Sequence, residues 1–121
     1  MIQGVHALIY SREAEKVRTF FRDVLKFPSV DAGHGWLIFS LPPAELGIHP
    51  TEGTAAESKT QVELYLMCDD IKATIADLKR KGVKCKPVTE AGFGLVTSIE
   101  IPGGDLGLYQ PKHPTALGMW K

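Results

Sequence analysis

Leu41-Pro42-Pro43-Ala44-Glu45-Leu46-Gly47-Ile48-His49 is matched, sixty positions on, by Ile101-Pro102-Gly103-Gly104-Asp105-Leu106-Gly107-Leu108-Tyr109. The proline, the acidic residue, the Leu-Gly pair and the aliphatic after it correspond in order. Upstream, His6 to Ser11 overlays Glu63 to Cys68 at an offset of fifty-seven. Two matches in the same order, each attached to the same kind of element, mark an internal duplication.

The periodicities outside these stretches fill in each copy. Val5 to Tyr10 is a short β-rich apolar run that reads as a strand. Ser11 can cap a helix after it, and Val17, Phe20, Phe21, Val24 and Leu25 recur at three- and four-residue intervals, predicting a helix over Glu13–Leu25 that Phe27-Pro28 ends. Trp36 to Leu41 and Glu45 to His49 read as strands. In the second copy, Gln61 to Cys68 reads as a strand, and Ile71 to Lys81 as a helix capped by Asp69 or Asp70 and closed by Gly82. Lys84 to Val88, Leu95 to Ile101 and Asp105 to Gln110 read as strands, with a turn at Pro102-Gly103-Gly104. The polar stretch Thr51 to Thr60 is the linker. The expected architecture is one α+β domain over 1–121, built from two βαβββ modules (about 4–50 and 61–111) with a tail at 112–121 and a mixed, mostly antiparallel sheet.

Composition narrows the function classes. Hydrophobic residues make up 44% and charged residues 23% of the 121 residues, which excludes a disordered chain. Fourteen basic residues balance fourteen acidic ones, so no net field draws nucleic acid or anionic lipid. No apolar run reaches the roughly 20 residues that span a bilayer, and no signal peptide is visible. Cys68 and Cys85 have neither CxxC spacing nor a nearby histidine, so the expected state is reduced and cytoplasmic.

Phe20-Phe21-Arg22-Asp23-Val24-Leu25-Lys26-Phe27 is similar to the "FYRDVLGF" pattern of the vicinal oxygen chelate superfamily, the glyoxalase/bleomycin-resistance/dioxygenase fold. Cys68-Asp69-Asp70-Ile71, continuing through Leu78 to Gly82-Val83, is similar to its "VDDI…L…GV" pattern. Gly104-Asp105-Leu106-Gly107-Leu108-Tyr109-Gln110-Pro111 is similar to its closing "GN…ELYQP" strand. The resemblance runs from Val5 to Pro111 and implies curled modules around a shared cleft. It also implies a divalent metal, where one is bound, held by the first strand of each module and the last strand of one or both. In this sequence those positions are His6 and Glu63, then Gly47 and Gly107, and glycine offers no ligand.

Strand alternation assigns the faces. Leu8 and Tyr10 go with His6, Tyr65 and Met67 with Glu63, Glu45 and His49 with Gly47, and Asp105 and Tyr109 with Gly107. The opposite parity, including Val62, Leu64, Leu46, Ile48, Leu106 and Leu108, is apolar and expected to pack under the helices. The expected pocket residues are therefore His6, Tyr10, His49, Glu63, Tyr65, Met67 and Tyr109. His6, His49 and Glu63 are the weak metal candidates, and no fully occupied metal site is expected. The glycines open space near the pocket floor, which suits a bulkier organic ligand, and a glutamate at 107 is expected to raise metal affinity if that space is intact. His34 is assigned to a turn, His113 to the tail, and Cys68 to a packed position rather than a nucleophile. Two functions stay open. One is a metal-free protein binding a small organic molecule, as in bleomycin-resistance proteins. The other is a metal-dependent lyase or dioxygenase acting on vicinal oxygens. The resemblance further implies a homodimer whose chains complete each pocket.

Overall fold

A computed structural model describes residues 6–48 and 62–119. They divide into two units, one drawn from residues 1–40 and 101–105, the other from 41–100 and 106–121.

In the first unit, helix α1 (Ala14–Asp23) buries Val17, Phe20 and Phe21, three members of the predicted apolar face. Val24 and Leu25 are half-buried beyond its end. Ser11 does cap the approach, its hydroxyl accepting the Glu13 N–H at 3.0 Å, although Glu13 itself holds the capping position. The helix stops before Pro28 is reached. Lys26 takes a left-handed conformation (φ 62°), and the Phe27 N–H bonds Phe21 O at 3.1 Å, six residues back, so the chain folds over the helix end. That turn brings Phe27 back to Phe21, with ring centroids 5.7 Å apart, and Phe39 closes on the same ring at 5.5 Å.

Strands β1 (Ser29–Asp31) and β2 (Leu37–Phe39) pair antiparallel, Val30 opposite Ile38. The sequence pattern missed β1, which is short and polar at both ends. The strand expected over Trp36 to Leu41 is present as β2, but two other strands of this copy were overestimated. Residues 6–10 and 45–48 form no strand, and Val5 and His49 lie outside the described residues. An apolar run becomes a strand only with a ladder partner, and among the described residues neither stretch has one. Pro42 and Pro43 also remove two donors from the approach to 45–48. Tyr10 is 89% exposed, and Leu46, Ile48 and Val62, expected under the helices, are exposed as well. The predicted linker, 51–60, also lies outside the described residues.

The second unit follows the sequence closely. Strand β3 (Tyr65–Met67) leads to helix α2 (Ile71–Arg80), then β4 (Thr89–Ala91), β5 (Gly94–Ile101) and β6 (Gly104–Pro111). They form an open mixed sheet in the order β3-β6-β5-β4, with β3 parallel to β6 and β4 antiparallel to β5. Asp70 caps α2 by accepting the Ala73 N–H at 3.1 Å, and the Gln110 side chain on β6 accepts the Ile71 N–H at 2.9 Å. Gly82 (φ 83°) closes it, as expected. Lys84 to Val88 yields only a bridge between Cys85 and Ile99, because Pro87 has no N–H to continue a ladder. The Thr97 hydroxyl instead donates to Lys86 O at 2.5 Å. Buried Ile71, Leu78, Val83, Ile99, Leu106 and Leu108 form the core of this unit, each contributing about 1.5–3 kcal/mol if fully removed from water.

The β5–β6 turn is Pro102-Gly103, with Gly103 at φ 75° as a type II turn requires. A Cβ there would also meet the Ser11 hydroxyl and the Glu13 carboxylate, which would have to move aside. No described helix is long and apolar enough to cross a membrane.

Candidate functional site

The parallel register of β3 and β6 sets Tyr65 opposite Gly107 and Met67 opposite Tyr109. Without a Cβ at 107, the Tyr65 ring lies directly on the Gly107 backbone, where any side chain would collide with it. From there the Tyr65 hydroxyl donates to Glu63 Oε2 at 2.8 Å. That bond, followed by partial burial, pushes the Tyr65 phenol above its ordinary pKa. The ring also meets Tyr109 edge-on at 5.7 Å.

Tyr109 is the hub. Phe93, from the β4–β5 turn, packs edge-on against it at 6.2 Å, and the His113 ring lies 6.0 Å away, tilted by 33°. The Tyr109 hydroxyl donates to Glu45 Oε1 at 3.3 Å and lies 3.2 Å from His113 Nε2. His113 Nδ1 sits 2.8 Å from Pro114 O, which can only accept, so Nδ1 carries a proton, and the single phenol proton is shared between Glu45 Oε1 and His113 Nε2. Burial first, then the Glu45 carboxylate, raises the Tyr109 pKa. The other oxygen of Glu45 accepts the Thr115 hydroxyl at 3.0 Å and the Ala116 N–H at 2.7 Å. Those donors, led by the Ala116 N–H, hold the Glu45 carboxyl below the ordinary carboxylate range despite the opposing effect of burial. Only 13% of its side chain is exposed.

Of the residues expected to share a pocket, Glu63, Tyr65, Met67 and Tyr109 come together in the second unit. His6 and Tyr10 belong to the first, exposed and outside any strand, and His49 lies outside the described residues. The sequence reading missed Phe93 and Thr115 and left His113 in the tail. Glu45 carried a signal, since it is the acidic residue of the duplicated motif. Cys68 is half-buried, its thiol pushed up by burial, consistent with packing rather than nucleophilic chemistry.

No protein-family model matches this sequence, and no curated protein matches it. Solved structures do. TnmS3, an antibiotic binding protein from Streptomyces sp. CB03234, aligns with 92% of this chain and 98% of its own at TM-score 0.63 and 23% identity. Lactoylglutathione lyase from Agrobacterium tumefaciens aligns with 91% and 95% at TM-score 0.62 and 13% identity. SMU.1112c gives 93%, 100%, 0.59 and 18%. The chain shares the fold of these proteins, the fold that its sequence resemblance implied. At these identities the likeness speaks for fold alone.

At Gly107, one of the metal positions the resemblance implied, the residues present leave no room for a resident divalent ion. The Tyr65 ring fills the space over Gly107 that the sequence reading left open, and the Tyr65 hydroxyl engages an oxygen of Glu63. Among the described residues, no three His, Cys, Asp or Glu side chains converge as a ligand set. The expectation that a glutamate at 107 improves metal binding therefore loses its premise, because that side chain must first displace a tyrosine.

Two outcomes follow from this geometry. Gly107→Ala destabilises the protein by about 1–3 kcal/mol in urea denaturation, the cost of overpacking, and adding Tyr65→Ala recovers most of that loss. Glu45, flanked by His113 and Tyr109, has a lowered folded pKa. Its stabilising contribution is thus complete above its ordinary value of about 4.5 and is lost as pH falls through the depressed value. An acid titration followed by the Ala116 amide resonance shows this transition in the wild type and loses it in Glu45→Gln.

Proposed function

We propose that this chain binds a small organic molecule with an aromatic surface, without a divalent metal. Tyr65, Tyr109 and Phe93 supply the contact area, and Glu63 is the orienting acceptor. The observation that carries the reading is the position of Tyr65, which converts a metal-ligand position into an aromatic wall while the residue stays 40% exposed. Phe93 is similarly open. The description of TnmS3 as an antibiotic binding protein supports the reading, and suggests aromatic antibiotics as the first compounds to try. Free Cys68 and Cys85 suit a reducing cytoplasm.

We further propose a homodimer. Leu8, Tyr10 and Trp36 in the first unit, and Leu46, Ile48 and Val62 in the second, leave much apolar surface uncovered in a single chain. A second copy covers such surface and completes the pocket to which His6 and His49 were assigned. Sedimentation at micromolar concentration is expected to give a dimer, and a monomer would overturn this part.

The function is tested by calorimetry. A panel of aromatic antibiotics is expected to yield a binder whose affinity falls about tenfold in Tyr65→Ala and in Tyr109→Ala, the scale of losing an aromatic contact of about 1.5 kcal/mol. Zinc, nickel and manganese are expected to bind the wild type weakly. Tight, stoichiometric metal binding that His6→Ala abolishes would instead establish the metal-dependent lyase or dioxygenase reading, with His6, Glu63 and His49 as ligands.

A further inference from the structure

The segment after β6 is held almost entirely by polar contacts. Lys112 still belongs to the sheet region, its N–H bonding Phe93 O at 2.8 Å. Residues 113–119 form neither helix nor strand; Leu117 is only half-buried and Met119 is 73% exposed. Apolar burial therefore contributes little to keeping this segment in place. Its bonds to the rest of the unit converge on one carboxylate and one phenol. Glu45 Oε2 takes both the Thr115 hydroxyl and the Ala116 N–H, and His113 reaches the Tyr109 hydroxyl. The neighbours of Glu45 make the contrast sharper: Leu46 is 82% and Ile48 89% exposed, yet the Glu45 side chain between the two segments is 13% exposed.

We propose that residues 113–119 are a strap, fastened by Glu45, that closes over one side of the Tyr109 ring and opens as a unit to admit ligand. Charge-assisted hydrogen bonds are strong enough to hold a short segment, but a segment with little apolar burial opens at a small fraction of the global unfolding free energy. Opening removes the His113 ring from Tyr109. Tyr65 and Phe93 stay where they are, because β3 and the β4–β5 turn hold them. His113, at 33° to the Tyr109 plane, thus occupies a place that a planar ligand ring would take. Opening also strips two donors from the Glu45 carboxylate and turns it toward any donor the ligand carries. The clasp and the covering of Tyr109 stand on geometry alone; the admission of ligand rests on the reading of Tyr109 as a binding surface given above.

The test uses the full chain and no ligand, so it is separate from the fate of that reading. Glu45→Ala removes the clasp from one side. Ala116→Pro removes a tail donor while leaving the charge beside Tyr109 in place. Two rates are followed, amide exchange at Leu117 and nitration of Tyr109 by tetranitromethane, with the 89% exposed Tyr10 as internal control. Both variants are expected to raise both rates roughly tenfold or more, the scale of losing a hydrogen bond to a charged group. Tyr10 nitration and the far-ultraviolet dichroism are expected to stay unchanged. Wild-type Tyr109 nitration rates in both variants would overturn the proposal, whether or not Leu117 exchange rises, because the segment would then be clasped without covering the ring. Failure of every aromatic compound to bind, with these rates raised as expected, would overturn the binding reading and leave the strap standing.

Discussion

The seating of Tyr65 on Gly107 is the contact from which the rest of the site is laid out. A parallel pair sets these two residues side by side, and only a residue without a side chain lets an aromatic ring take the space over the neighbouring strand. Once there, the ring has few options. Its hydroxyl falls on Glu63 and its face meets the edge-on packing around Tyr109. A glycine that reads in the sequence as a missing metal ligand is, in the folded chain, a positive requirement for aromatic packing.

Tyr109 then links two kinds of stabilisation that differ in character. Its ring is packed by Tyr65 and Phe93, which belong to well-formed parts of the sheet, while its hydroxyl faces Glu45 and His113. The carboxylate is shared among the phenol, a threonine hydroxyl and a backbone amide, so its charge is spread over donors from three residues. Such a carboxylate is well solvated by protein even though little of it touches water, which is why its proton affinity falls rather than rises.

The helices and the β5–β6 hairpin were legible because their signals are local. Three- and four-residue spacing marks Val17, Phe20 and Phe21, Asp70 and Gly82 punctuate α2, and alternation along Leu106–Leu108 separates buried from open positions. The first copy of the duplication was less legible. Residues 6–10 have strand composition, but composition reports a wish for cover and not the presence of a neighbour to pair with. Ser29–Asp31 shows the reverse, a triplet polar at both ends made into a strand by facing Leu37–Phe39. Parity alone brought Tyr65, Met67 and Tyr109 to one face. The role of Glu45 depends on Thr115 and Ala116, seventy and seventy-one residues away, and no short-range pattern encodes a meeting at that distance.

Pro87 has a consequence beyond the ladder it interrupts. Among the described residues β4 is one of the two outer strands of the second sheet, and an outer strand normally presents a row of donors and acceptors on which another chain can grow. Here that strand is only Thr89–Ala91, and the chain leading into it lacks one donor at Pro87 and spends the Lys86 carbonyl on Thr97. Lys112 reaches over to Glu90 at 2.6 Å, laying a charged side chain across the same border. The border is therefore a poor template for sheet extension, and cross-β growth into fibrils has little to build on along that side of the molecule.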